Sequence, residues 1–283
     1  TGLKLLTKEA GSHSIRMFPK LDGFIDSYSS IDTPTRHLHK DINGKSVSVI
    51  KETNKSQFEA YDWSYPKIIQ FQSTDGTISL DGIVTYPPNF KKGSRYPVIV
   101  HGYGMPGTQI VYNRWGSVWN QYLAQQGYIV FSMDARGMSG RGEEFKNLSY
   151  GDMSKYLSKD TAAGVRYLVD IGVADPDRIG AWGWSGGGYF TGLMLTKNAD
   201  LFDVGVSVAP VMDFRLYDTI YTERSMGLPN DNKAGYDSTS VLTYVDRFKG
   251  KLLVMHGTGD DNVHSQNMTW LIEEFVKHDK QLD

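Results

Sequence analysis

The chain has 283 residues, 40% of them hydrophobic and 22% charged, with a formal net charge of −2. That balance is the one of an ordinary soluble globular protein, long enough for one large α/β domain or for one domain plus part of another, and it leaves no basic stripe with which to neutralise a nucleic-acid backbone. Cysteine is absent, which excludes a disulfide framework, a thiolate nucleophile and a cysteine zinc site.

No run of about 18 apolar residues marks a membrane segment, and the start lacks the basic-then-apolar pattern of a signal peptide. A targeting segment, if the protein has one, lies outside this chain. Residues 1 to about 62 carry short β-like runs: Leu3 to Thr7, Ser14 to Phe18, Phe24 to Ser29, then Thr35 to Asp41 and Ser46 to Lys51 around Asn43-Gly44. The Asn-Gly pair suits the two positive φ angles of a type I′ hairpin turn. Four or five strands without a second set to pack against are too few to stand alone, so this stretch is expected to be the end of a larger repetitive β domain. His37 and His39 share one face of a strand, but no third ligand is near, and no metal or cofactor is expected.

A second hairpin, Lys67 to Gln72 and Thr77 to Tyr86 around Asp75-Gly76, ends at Pro87-Pro88, since proline cannot donate to a ladder. The pattern then changes to alternating strands and helices. Strands are expected at 96–100, 128–133, 178–182, 204–209 and 251–255, and helices at 118–126 (closed by Gly127), about 160–171, about 189–195 and about 265–277. Alternation of this length implies a mostly parallel sheet with helices on both faces. The expected fold is therefore an α/β-hydrolase domain over 63–283, truncated before its last strand and helix, after an incomplete β-propeller over 1–62.

Gly183-Trp184-Ser185-Gly186-Gly187 stands between an apolar strand and an apolar helix. G-x-S-x-G in that context is a nucleophile elbow, which lifts a serine hydroxyl above the sheet edge. The acid should follow a later strand, and Asp260 is taken for it, with Asp261 the competing choice. The oxyanion hole needs the Gly186 N–H and a donor from the loop His101 to Gly107, where Tyr103 offers a phenol and the glycines offer backbone N–H groups. The base is harder to find. His256 and His264 lie too close to the acid in sequence, His278 is in the last helix and His101 is out of order, so the triad histidine is expected beyond Asp283 and these 283 residues alone are expected to be inactive.

Four segments together resemble the dipeptidyl peptidase IV branch of the prolyl oligopeptidase family of serine peptidases: residues 183–189, Ala209-Pro210-Val211, 217–229 with Tyr221-Thr222-Glu223-Arg224, and 256–264. The resemblance covers roughly 61–283, and residues before about 62 are similar to the end of that family's propeller. It implies Ser185 as nucleophile, Asp260 as triad acid, Tyr103 and Gly186 as oxyanion donors, Val211, Phe214, Tyr217, Tyr221 and Val263 as walls of a proline pocket, and Asn262 as a carbonyl-binding amide. It further implies a peptidase that removes di- or tripeptides from free N-termini, a homodimer when the protein is complete, and a periplasmic or extracellular setting. Two positions depart from the pattern: Gly186 stands where tyrosine is usual, which is expected to remove one wall of the pocket, and Phe214 stands where tryptophan is usual. An esterase or acyl-peptide hydrolase on the same fold, and a non-catalytic binding relative, are the other readings.

Overall fold

The structure, a computed structural model, describes residues 2–283. Its first part is a four-stranded antiparallel sheet of β1 (Ser12–Met17), β2 (Gly23–Ser30), β3 (Thr33–Asp41) and β4 (Ser46–Glu52), paired in chain order. Its most buried feature is polar: Asp26, fully buried, accepts from His13 Nδ1 at 2.8 Å and from Lys40 Nζ at 3.0 Å, while His13 Nε2 reaches the Glu9 carbonyl at 2.9 Å. His37 and His39 are strand residues with separate partners, the Ser27 hydroxyl and the Phe18 ring respectively.

Two expectations fail in this part. Leu3 to Thr7 forms no strand, because its apolar side chains find nothing to cover them: Leu3 and Leu5 are 109% and 71% exposed. The β3–β4 turn is also not the two-residue type. Asp41 and Lys45 close a three-residue loop, the Asp41 carboxylate accepts from the Asn43 and Lys45 N–H groups, and only Gly44 takes a positive φ, of 84°. That is the three-residue hairpin solution, with glycine in the left-handed position.

After a short helix α1 (Ser56–Glu59), Phe58, Trp63 and Trp115 stack together, the two indoles 4.9 Å apart and nearly parallel. The second part is a seven-stranded sheet. Its strands are β5 (Lys67–Gln72), β6 (Ser79–Thr85), β7 (Tyr96–His101), β8 (Ile129–Met133), β9 (Ala174–Trp184), β10 (Val204–Val208) and β11 (Lys251–Met255), in the spatial order 11-10-9-7-8-6-5. β7 to β11 run parallel; β5 and β6 are antiparallel additions. The mostly parallel sheet expected from the alternation is present.

Helices α2 (Val118–Gln125), α3 (Glu143–Asn147), α4 (Leu157–Asp170) and α5 (Gly186–Lys197) connect these strands. α2 ends at Gly127, φ 92°, the left-handed glycine that closes a helix. α4 turns Leu157, Val165 and Leu168 onto the sheet, where Phe131, Leu80, Ile179 and Leu193 are fully buried beside them. The tyrosine-rich connection after β10, where no helix is expected from the sequence, is helical: α6 (Thr219–Met226) and α7 (Lys233–Thr239) are capped by Asp218 and Asn232, whose side chains accept from Tyr221 N and Gly235 N. α8 (Gln266–Lys277) follows β11.

From β7 the chain passes to β8 on one side and then to β9 on the other. The topological switch point, where open α/β sheets form their crevice, therefore lies at the C-terminal ends of β7 and β9. Those ends carry Tyr103 and Ser185.

Candidate active site

Ser185 follows the last residue of β9 and precedes the first of α5. Its backbone is at φ 59°, ψ −118°, a region L-residues avoid at a cost of about 1–3 kcal/mol. The surroundings over-determine it. Ser185 N donates to Val208 O at 2.8 Å, Tyr189 N donates back to Ser185 O at 3.0 Å, and a Cβ on Gly183 would lie 2.6 Å from the Gly187 backbone, so only glycine lets strand and helix approach this closely. The strand–serine–helix elbow expected from the motif is present.

Tyr103 lies in the loop after β7. A Cβ placed on Gly186 would be 3.0 Å from the Tyr103 ring and 2.5 Å from Met105 Cγ. The phenol is therefore beside the first turn of α5, where the Gly186 N–H is one of the helix's free donors. Met105, 4% exposed, packs against Gly186 on the side where a residue-186 side chain would begin.

Tyr103, Met105, Thr108, Ser185, Gly186, Val211, Phe214, Tyr217 and Tyr221 line one cavity of about 130 Å³. It is small beside the ~300–1,000 Å³ of pockets for drug-sized ligands and is on the scale of one compact side chain. Its aromatic wall is a chain of edge-on contacts, Phe214 to Tyr217 at 6.4 Å and Tyr217 to Tyr221 at 6.1 Å, backed by the buried Tyr189 ring 5.0 Å from Phe214. Tyr221 donates its O–H to Pro106 O at 2.9 Å, tying α6 to the Tyr103 loop. Burial raises the pKa of Tyr217 and Tyr221 above the usual phenol value, with Tyr103 adding to both. Tyr217 and Tyr221 are therefore neutral phenols at neutral pH.

Asp260 is on the loop after β11. Its Oδ1 accepts from Val263 N at 2.9 Å and Asn262 N at 3.0 Å, and these two bonds hold its carboxyl below the ordinary value, with His256, 3.6 Å from Oδ2, adding to them. Asp261 is exposed. His256 is a brace of this loop, since its Nε2 donates to Val263 O at 2.7 Å. His101 stacks on Trp182 at 4.6 Å, and burial lowers its pKa.

The predicted pocket residues do not all meet. Val263 is buried in the core and absent from the cavity wall, and Asn262 reaches it only through Tyr217 O–H, 3.4 Å from its Oδ1. Sequence reasoning passed over Met105 and Thr108, although both stand in or beside the quoted loop. It also passed over two anchors. Asp134 accepts from Ile110 N at 2.7 Å and Val111 N at 3.1 Å, and Asn267, fully buried, accepts from Met212 N at 2.8 Å and Asp213 N at 3.3 Å.

A match to the prolyl oligopeptidase family covers residues 115–283. The chain belongs to that family. It is 34% identical over 258 residues to a probable dipeptidyl peptidase 4 of Aspergillus flavus, covering 88% of this chain and 33% of that protein. It is 32% identical over 247 residues to the prolyl endopeptidase FAP of Mus musculus, covering 86% and 32% respectively. The crystal structure of Porphyromonas gingivalis dipeptidyl peptidase 4 superimposes with a TM-score of 0.93 at 32% identity, over 98% of this chain and 40% of that one. The fold is accordingly that of an α/β-hydrolase preceded by part of a β-propeller, and the chain spans about a third of the length of the curated relatives it matches. Among the described residues no helix is long and apolar enough to cross a membrane.

Proposed function

We propose that this chain carries the nucleophile, acid and oxyanion groups of a serine exopeptidase that releases dipeptides from free N-termini after proline. The observation that carries the reading is the single cavity shared by Ser185, Tyr103, Gly186 and an aromatic slot of about 130 Å³. An apolar slot of that size suits a proline ring, which has no N–H to satisfy and lies flat on aromatic faces. The names of the relatives support the dipeptidyl cut.

In this mechanism Ser185 Oγ attacks the carbonyl carbon of the second residue. Its proton passes to a histidine supplied from outside these 283 residues, which Asp260 orients and which then protonates the departing amine. Tyr103 O–H and Gly186 N–H receive the negative charge that develops on the carbonyl oxygen, and removal of one such donor costs about 10²–10³ in rate. A water molecule then hydrolyses the acyl-enzyme by the same route in reverse. The two regions 1–62 and 63–283 serve as the propeller end and the catalytic domain.

The test is mass spectrometry of peptides incubated with the complete gene product, in matched series with proline second or third from a free or acetylated N-terminus. Release of a dipeptide only from free-amine peptides with proline second is the expected result. Cleavage indifferent to the amine would replace this reading with an acyl-peptide hydrolase or endopeptidase, and no cleavage would leave a binding relative.

A further inference from the structure

The slot beside Ser185 is closed on one side by a residue that the catalytic steps above do not use. Met105 is 4% exposed and lines the cavity, with Cγ only 2.5 Å from where a Cβ on Gly186 would stand. Its backbone has little freedom. Thr108 Oγ1 donates to Met105 O at 2.5 Å, Tyr221 O–H donates to the neighbouring Pro106 O at 2.9 Å, and Gly104, at φ 76°, packs where a Cβ would meet the Leu157 side chain at 2.6 Å.

We propose that Met105 is a specificity-determining residue: it takes the volume that a side chain at 186 would otherwise fill, and the reach of its thioether sets the largest substrate side chain the slot accepts. The proposal rests on the exopeptidase reading only for the identity of the group that enters the slot, the residue on the acyl side of the cut bond. The pairing of a large residue at 105 with none at 186 stands on the distances alone. A methionine wall differs from an aromatic one in kind. It is unbranched, with three rotatable bonds and a polarisable sulfur that packs on ring edges, so the slot favours proline while tolerating other compact side chains such as alanine. Leucine and phenylalanine are shut out by its length.

Shortening the wall removes Cγ, Sδ and Cε, and a change of one methylene in an apolar pocket already shifts discrimination by about 10–200-fold. Met105→Ala in the complete gene product is expected to raise kcat/KM for Gly-Leu relative to Gly-Pro amides by about tenfold or more. The packing half is read on the complete gene product by thermal unfolding of the wild type, Gly186→Ala, Met105→Ala and the double variant. Gly186→Ala alone forces a Cβ into Met105 and melts lower; adding Met105→Ala recovers more than half of that loss. The same four proteins are titrated with prolinamide and leucinamide by protein-observed NMR, and Met105→Ala is expected to move the affinity ratio toward leucinamide. A merely structural methionine would change the melting temperatures and leave both ratios where they were, which overturns the proposal. So does a Gly186→Ala variant that melts with the wild type. If the complete protein cleaves no peptide, the exopeptidase reading falls, and the melting cycle and amide ratios still decide the role of Met105.

Discussion

Arg136 and Asp160 offer the most quantitative test of how the site is held. Arg136 follows β8 by three residues. Its Nε lies 3.0 and 3.2 Å from the two Asp160 oxygens, one terminal nitrogen is 2.6 Å from Oδ1, the other is 2.7 Å from Asp75, and the guanidinium lies 4.1 Å over the Tyr156 ring. The Asp160 side chain is fully buried, whereas that of Asp75 is 47% exposed. Replacing Arg136 by methionine keeps the bulk and removes the charge. Asp160 would be left with one donor, the residue-136 N–H at 3.0 Å. Breaking a buried pair in this way costs about 3–5 kcal/mol, and the solvent-screened Asp75 contact adds little to it. Against the ~5–15 kcal/mol that holds a typical protein folded, that is a large share. Urea unfolding at pH 7 should show it as a lower midpoint at an unchanged slope. The companion variant Arg136→Met/Asp160→Leu removes both charges and should recover most of the loss, a coupling that separate contributions would not give. A loss below about 1 kcal/mol for Arg136→Met would refute the reasoning, because it would mean that the buried carboxylate finds compensation absent from this geometry.

Three further outcomes follow from the same structure. Burial pushes Asp134 up to about 6, against the two backbone bonds that pull it down. A raised carboxyl contributes stability that is present below about pH 4 and lost as pH rises through about 6, so the stability of the wild type relative to Asp134→Asn should fall across that window, by up to about 3 kcal/mol; chemical denaturation at pH 4, 5, 6 and 7 measures it, and a flat difference would sink it. Asn267→Ala orphans the buried Met212 and Asp213 N–H groups and should cost about 2–3 kcal/mol, with faster hydrogen exchange at those two amides before the rest of the core. Tyr103→Phe in the complete protein should lower kcat by about 10²–10³ with KM little changed, while fluorophosphonate labelling of Ser185 persists at a reduced rate and is abolished in Ser185→Ala.

Much of the second part is legible in the residues because two periodic signals agree there. Apolar strand runs alternate with helix-length apolar stretches, and glycines such as Gly127 and Gly183 stand where a helix must stop or two backbones must meet. The tyrosine-rich stretch hid two helices because α6 and α7 bury few residues, Thr222 and Met226 in the first and Gly235, Tyr236 and Thr239 in the second. With little apolar face there is little periodicity to find, and only the caps Asp218 and Asn232 and the closing Gly227 give the helices away. Leu3 to Thr7 erred the other way, offering an apolar pattern with no partner to bury it. Met105 had no signal of its own, since the meaning of a methionine two residues after Tyr103 depends on the absence of a side chain at 186, far along the chain.

The anchors of the site share one device, and it explains why motif reading passed over them. The candidate groups stand on loops at one edge of the sheet, where ladder hydrogen bonds end and backbone N–H groups need other partners. Asp134 accepts from the successive amides of Ile110 and Val111, Asn267 from those of Met212 and Asp213, and Asp260 from those of Asn262 and Val263. Each is a single side chain that fixes two adjacent peptide units. The first two hold the loops carrying Tyr103 and Phe214 from outside those loops, across gaps of 23 to 55 residues, so no local spacing could reveal them. Asp260 acts within its own loop through Oδ1, while its Oδ2 lies 3.6 Å from His256 Nε2. A side chain that fixes two peptide units restrains a loop more tightly than a single bond would, and the Ser185 backbone at φ 59° needs such restraint nearby, because a strained residue persists only where its surroundings cannot relax.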